Sequence, residues 1–541
     1  MDGTEGGGTG PKDAPPRRRR AAKAQGTGQG DSPSKPAAKP RRPSAKTLAA
    51  QAADAARWSR YALWMLAGLT VLRLALNAVT VIPVHFDEAQ YWAYGNELAL
   101  GHYSKPPLVG WVIEATTRLF GDTLFGLRVG APLAHLAVGA LIFLTARRLF
   151  DARTGFFAAA LYSAAPGVNV SALLMTTDPV MMAGWALALY ALVRALERPQ
   201  AAHWWALCGL GVGLGMLAKY TAVAFPLGLL GYALLSREGP LTPQARRGAW
   251  IAAAAALAAV SPNLVWNAAN GFVTVAHLGE SGPDAGGGLR PGKLAEFLGA
   301  QLAVFGPVAL AALAAAAAGL IRRAERADWR LRLLWWLTLP LIAAMCVQAL
   351  RAGANPNWAA PAYVAGAILG ARWLTARDWT GALRLHAALG AAALAGVLAL
   401  GTAYLHWTAD LPRLYDPFKK MRLGGPFCEV ALSAMEAEGA EALLSNDRRR
   451  LSECQFLGGL RFEDVAVFSP DPRPRNHVEF RSRLQPGDRR LMILAVESDV
   501  EAERIAAHFF GAQPIGVGRL PIHADRDLGY ALWLVEGFEG Y

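Results

Sequence analysis

The chain is interrupted again and again by apolar runs, about eleven in all and mostly about 17–25 residues long, the length of helix that crosses a lipid bilayer. They lie at roughly 60–83, 126–146, 155–173, 180–196, 204–218, 220–235, 249–265, 295–320, 331–350, 357–375 and 384–406. In hydrocarbon every backbone N–H and C=O must be bonded within the chain, so such runs fold as helices. The expectation is an all-α polytopic membrane protein. The runs at 204–218 and 220–235 are short and suit half-length helices.

A formal net charge of +13 invites a nucleic-acid reading, but the charge is unevenly placed. The first 50 residues carry eleven Lys and Arg against four Asp and Glu, which is +7 of the total. That stretch is rich in Gly, Pro, Ser and Ala and has almost nothing apolar to bury, so residues 1–55 are read as a disordered tail. With no aromatic or structured partner, its charge fits a cytoplasmic topology signal and not a nucleic-acid arm. The first apolar run is too long for a cleavable signal sequence and is expected to remain as a span.

Positive residues favour the cytoplasmic side of a membrane. A cytoplasmic N-terminus makes the Arg-rich connectors cytoplasmic, among them Arg147, Arg148, Arg153, Arg194, Arg198, Arg372, Arg377 and Arg384. The other connectors are poor in Lys and Arg. They hold HFDEAQYW and HYSKPPL in a first outer loop at about 84–125, TTDP at 176–179, AKY at 218–220, PNLVWNAANGF from 262, and RAGANPNW at 351–358. Residues 56–407 thus form a membrane domain, and 408–541 an extracytoplasmic soluble α/β domain. In the latter CEVALSAMEAEGAEALL reads as helix, and 491–496 and 530–538 as strands. On that side Cys428 and Cys454 have two open states, a disulfide or two thiols, whereas Cys208 and Cys346 sit in apolar runs.

Chemistry concentrates on the outer face. Asp87 and Glu88 follow the first span directly and are either a solvated helix-capping pair or a catalytic base at the lipid–water boundary. Lys105 stands before Pro106-Pro107, a stiff platform for a cation that either snorkels or clamps a phosphate leaving group. Asp178 precedes Pro179 and is a helix cap, an orienting group, or a ligand for Mg²⁺ or Mn²⁺ beside phosphate oxygens. Lys219 lies between the two short runs and can face a lipid phosphate. The glycines before it suit close helix packing. Tyr91, His102, Tyr103, Trp266, Asn267, Asn357 and Trp358 are candidate substrate-lining residues, with an aromatic membrane belt as the plain alternative for the tryptophans. No Walker, Rossmann or G-x-S-x-G motif is present, so use of a soluble nucleotide sugar has no support.

The series HFDEAQYW, GHYSKPPL, LFGDTLFGLRVGAPL, TTDPVMMAGWALALYAL, GLGMLAKYTA, PNLVWNAANGF and PNWAAPAY resembles glycosyltransferase family 39, the dolichyl-phosphate-mannose protein mannosyltransferase-like and lipid A aminoarabinose transferase-like proteins. The resemblance covers about 60–375. It implies a C-type glycosyltransferase fold, a polyprenyl-phosphate-linked sugar donor, and an undecaprenyl-type lipid in a bacterial inner membrane. It also implies that Asp87 and Glu88 form the catalytic acidic motif and that Lys105 contacts donor phosphate. The expected reaction is an inverting transfer to lipid A, lipopolysaccharide core or another envelope glycan. Protein hydroxyls are an alternative acceptor. A transporter or flippase is the rival of another class, and it predicts internal repeats and mid-membrane charges that the sequence does not show.

Overall fold

A computed structural model describes residues 44–235, 242–280, 288–321, 328–406, 412–416 and 418–541. Most of the basic tail and the connectors 236–241, 281–287 and 322–327 lie outside these residues. The helix bundle and the C-terminal sheet belong to one compact unit, Gln51–Tyr541.

All eleven apolar runs contain helix. In chain order the helices are α1 (Ala45–Val79), α2 (Phe86–Glu97), α3 (Leu108–Phe120), α4 (Leu124–Arg128), α5 (Gly130–Leu149), α6 (Ala152–Ser163), α7 (Pro166–Ser171), α8 (Thr177–Glu197) and α9 (Ala202–Ala218). They continue with α10 (Ala224–Leu235), α11 (Pro243–Ala269), α12 (Val273–Glu280), α13 (Pro291–Val304), α14 (Pro307–Ile321), α15 (Trp329–Trp336), α16 (Leu339–Arg351), α17 (Ala362–Thr375) and α18 (Thr380–His406). Among the described residues six stretches are long and apolar enough to cross a membrane, counting α4–α5 and α15–α16 as one each, and α9 and the Tyr220–Leu235 segment are shorter. A further pair, α13 and α14, is bent by 110°. The bend falls at Gly306, whose φ of +88° a side chain would strain, with Pro307 directly after.

Polar side chains set the helix starts. Asp151 accepts from the Thr154 amide to open α6, and Thr242 from the Ala245 amide to open α11. Exposed Trp64, Val71, Trp250, Leu257, Val265 and Leu234 would be costly in water and belong against lipid. At the centre α8 packs on α9 through glycine. A Cβ on Gly211 would lie 2.6 Å from the Ala188 nitrogen, and one on Gly209 would strike the Ala252 carbonyl. Close packing, as read from the sequence, is the use of this glycine run.

The C-terminal region carries α19 (Gly424–Ala437), β1 (Ala442–Ser445), α20 (Arg448–Gly458), β2 (Val465–Val467), α21 (His477–Ser482), β3 (Met492–Val496), α22 (Asp499–Ala506), β4 (Phe509–His523) and β5 (Arg526–Phe538). The sheet order is β2-β1-β3-β5-β4, with β1 parallel to β2 and β3 and with β5 antiparallel to β3 and β4. Ile493 and Ala495 pack with Phe427, Leu451 and Cys454 of α19 and α20, whereas Met492, Leu494 and Val496 pack with Ala502 and Ile505 of α22. The sheet is therefore covered on both faces, which explains one difference from the sequence reading. Ala442–Leu444, expected to prolong a helix, form a strand, because Gly439 ends the helix at φ +62° and a doubly buried strand shows no polar alternation. Cys428 and Cys454 are disulfide-bonded and tie α19 to α20, while Cys208 and Cys346 are free. Pro514 lies in edge strand β4, where a missing N–H is tolerated.

Candidate active site

The first outer loop is built around a buried ion pair. His85 caps α2 by accepting from the Asp87 amide, and Glu88 reaches back to the His85 amide at 3.1 Å, which completes a capping box. The Glu88 carboxylate also accepts from Arg128 Nε at 2.9 Å, Arg128 Nη2 at 2.8 Å and the Met175 amide at 2.9 Å. Arg128 donates in addition to the Ile82 and Pro83 carbonyls. Both side chains are fully enclosed. One carboxylate thus joins the end of the first span, α2, α4 and the segment leading into Asp178.

This geometry separates the two adjacent acids. Asp87 lines a cavity of about 600 Å³ at one end of the helix bundle; Glu88 does not. The His85 ring at its helix cap brings Nδ1 to 3.7 Å from the Asp87 carboxylate, and 43% of the Asp87 side chain is exposed. Among the described residues no group donates a hydrogen bond to it. Glu88 stands apart from the cavity, and its oxygens are already spent on Arg128 and two backbone amides.

Tyr91, Lys105, Asp178, Lys219, Asn357 and Trp358 line the same cavity as Asp87. Lys105 is fixed by a turn in which the His102 amide donates to the Lys105 carbonyl at 3.1 Å. Its ammonium makes no ion pair among the described residues. Burial pulls its pKa below the ordinary lysine value; Asp87 opposes this shift, and the charges of Lys219 and Arg448 add to it. Lys219 differs. It sits in the extended break between α9 and the short helix Tyr220–Val223, and its Nζ donates to Asp178 Oδ1 at 2.7 Å. Asn357 Nδ2 donates to Asp178 Oδ2 at 2.7 Å. Each Asp178 oxygen thus already accepts one bond, and an ammonium on its carboxylate is a poor fit to a divalent-cation ligand.

Four other candidates lie outside the cavity lining. Trp266 packs on the first loop so closely that a Cβ on Gly101 would strike its ring, and it supports the loop from α11. Asn267 donates to the Asn263 carbonyl at 3.0 Å within that helix, and Asn263 Nδ2 holds the Leu100 carbonyl at 2.9 Å. Tyr103 donates its hydroxyl to the Pro474 carbonyl. His102 is stacked on Tyr94 at 4.0 Å and fully buried.

His102, Glu97 and His477 are the one trio of metal-capable side chains among the described residues, with ligand atoms within 4.8 Å of one another. His477 already spends its ring, accepting from the Tyr103 amide at 3.2 Å and meeting Glu97 at 3.2 Å. Arg481 takes the other Glu97 oxygen. The trio fastens α21 to the first loop and stands outside the cavity, so it supplies no group to the reacting centre.

Sequence reasoning missed Arg128, Arg448 and the Glu97–His477 contact. Arg128 had a signal: an arginine at the mouth of an apolar run on a face otherwise poor in cations. Glu88 three residues after the cap His85 also had the spacing of a capping box. The Glu97–His477 contact spans 380 residues and had none.

The dolichyl-phosphate-mannose-protein mannosyltransferase family model matches residues 104–266, the stretch from the Lys105 turn to Trp266. The lipid A galacturonosyltransferase RgtD of Rhizobium johnstonii is 34% identical over 395 residues, 72% of this chain and 80% of the relative. The chain belongs to glycosyltransferase family 39. An undecaprenyl phosphate-alpha-4-amino-4-deoxy-L-arabinose arabinosyl transferase of Pseudomonas aeruginosa is 33% identical over 132 residues, 24% of each chain. The crystal structure of ArnT from Cupriavidus metallidurans bound to undecaprenyl phosphate superposes with a TM-score of 0.60, covering 87% of this chain and 97% of that one at 15% identity. That likeness concerns the fold. The protein is a multi-pass inner-membrane glycosyltransferase that takes its sugar from a polyprenyl-phosphate donor and passes it to a cell-envelope acceptor.

Proposed function

We propose that the enzyme transfers a sugar from an undecaprenyl-type phosphate to the lipid A part of lipopolysaccharide, with Asp87 as general base and Lys105 on the departing phosphate. One observation carries this reading: Asp87 and Lys105, a carboxylate and an ammonium with no hydrogen-bond partner for their charged groups among the described residues, line one cavity with Tyr91, Lys219 and Trp358. The acceptor is suggested by the names of two relatives, one a lipid A and one a lipopolysaccharide core galacturonosyltransferase.

The chemistry follows from the two charges. An acceptor hydroxyl gives its proton to Asp87 as its oxygen attacks the anomeric carbon. The anomeric C–O bond to phosphate breaks on the opposite face, and its electron pair leaves on the prenyl phosphate, with inversion. Lys105 meets the charge that grows there, in a half-buried site where such a contact is worth more than in water. A prenyl phosphate is a good leaving group, so no general acid is needed. Lys219 keeps Asp178 neutralised, which removes a negative charge from the donor side. No step runs through a divalent ion, because Asp178 is held by Lys219 and Asn357.

Counting each of the eleven apolar runs as a crossing from a cytoplasmic N-terminus puts this cavity and the C-terminal sheet on the periplasmic side, in keeping with the Arg-rich connectors assigned to the other face. Cysteine accessibility at Arg377 and Arg449 tests that orientation.

The lysine assignment has a pH signature. Donor phosphate needs protonated Lys105, whose pKa lies below the free-lysine value of 10.5. The expected result is a fall in kcat/KM for donor as pH rises through that lowered pKa. Lys105→Arg moves the fall out of the measurable range, because guanidinium stays charged. An alkaline limb unchanged in Lys105→Arg removes Lys105 from the donor site.

A further inference from the structure

Arg448 and Arg449 open α20, and this helix packs on α2 through Trp92 and Phe456, whose ring centroids are 5.6 Å apart. Arg448 Nη1 donates to Gln90 Oε1 at 3.0 Å, and the two guanidinium carbons lie 5.9 and 5.4 Å from the Phe86 ring. Phe86 and Gln90 form one ridge of α2, and Asp87 and Tyr91 the adjacent ridge that lines the cavity. The arginine pair therefore stands one helix ridge from the general base.

On its other side the pair borders a polar groove of about 430 Å³. Four carboxylates line that groove, and each is engaged. Asp447 caps α20 by accepting from the Arg449 amide at 2.8 Å. Glu479 takes the Arg475 amide at 2.7 Å and the Asn476 side chain. Glu497 pairs with Arg450 at 3.2 Å, and Glu501 with Arg504 at 3.3 Å. Arg475 reaches Asp471 at 2.8 Å. Among the described residues Arg448 and Arg449 reach no carboxylate, although one is half-buried and five donors per guanidinium seek acceptors. Both guanidinium groups lie within 5.9 Å of the Phe86 ring, and most of their donors are left for an incoming acceptor.

We infer that Arg448 and Arg449 bind a phosphate group of the acceptor glycolipid and so hold its attacking hydroxyl beside Asp87. Planar guanidinium groups suit phosphate oxygens in a two-pronged contact, and an acceptor lying in the groove reaches the base across a single ridge of α2. This rests on the lipid A acceptor proposed above, and it adds that the acceptor carries a phosphate.

The test uses the full-length protein in detergent micelles, with diphosphoryl lipid A and its fully dephosphorylated form as probes. Wild type should hold the diphosphoryl form at least about tenfold more tightly, the scale of a charge-assisted contact. The double variant Arg448→Gln/Arg449→Gln should lose that preference, and Arg448→Lys/Arg449→Lys should keep part of it. Equal binding of both probes by wild type, or a preference that survives in the Gln variant, overturns the assignment. In transfer assays the Gln variant should raise KM for acceptor and leave KM for donor unchanged. A rise in donor KM alone would put the anionic group on the donor sugar and overturn it. Transfer is scored apart from binding: a wild type that binds diphosphoryl lipid A without glycosylating it removes lipid A as acceptor, and the binding comparison still decides the arginine pair.

Discussion

Asp87→Asn should lower kcat by about 10²–10⁴-fold, the range for loss of a positioned base, which corresponds to about 3–5 kcal/mol of barrier. The substitution changes one oxygen for NH₂ on a side chain that is 43% exposed and accepts no hydrogen bond among the described residues, so the fold has little to lose. Thermal stability and expression should match wild type, and KM for donor should stay level or fall. Single-turnover transfer from purified donor separates these quantities. Near-normal turnover in Asp87→Asn would mean that the attacking group needs no base, as for a phosphate acceptor, and would leave Asp87 a positioning role.

Substitution one residue later should have the opposite profile. Glu88→Met leaves Arg128 charged, enclosed and without its carboxylate, and Arg128→Met does the same to Glu88. Removing one partner of a buried pair costs about 3–5 kcal/mol, enough to unfold a marginal protein. Both single variants should melt well below wild type and lose activity with the fold. The double variant Glu88→Met/Arg128→Met should recover much of the stability, because no unpaired charge remains. Its recovery is incomplete, since Glu88 also holds the His85 and Met175 amides. Thermal melts of the three variants in detergent check this. Single variants as stable as wild type would show that the pair does not anchor the loop.

The contrast between these neighbours marks what could be read from sequence. Helical runs were legible because a bilayer imposes a length on them, and even the bend at Gly306 lies inside one. The assignment of an outer face rests on the uneven distribution of arginine across the connectors. Lys105 and Asp87 were found as chemistry-bearing types in a loop that has to face water. The division of labour within Asp87-Glu88 was not legible, because it depends on Arg128, forty residues away, and on which ridge of α2 meets the cavity. Trp266, Asn267, His102 and Tyr103 looked like sugar contacts for the same reason. Aromatic and amide side chains beside a site serve equally to line it or to brace it; Trp266 packs on Gly101, outside the cavity lining. Ala442–Leu444 were misread because a strand buried on both faces has no alternation to announce it.

A lipid phosphate seated on Lys105 within reach of Asp87 is the centre of the proposed mechanism. Direct binding of undecaprenyl phosphate to the purified enzyme tests this, by titration of wild type, Lys105→Ala and Asp87→Asn in the same detergent. Lys105→Ala should weaken binding about tenfold or more, the worth of a charge-assisted contact, while Asp87→Asn, which removes a negative charge beside the phosphate, should bind as tightly as wild type or more tightly. Undiminished binding by Lys105→Ala would contradict the placement of the donor in this cavity and, with it, the pairing of base and leaving group.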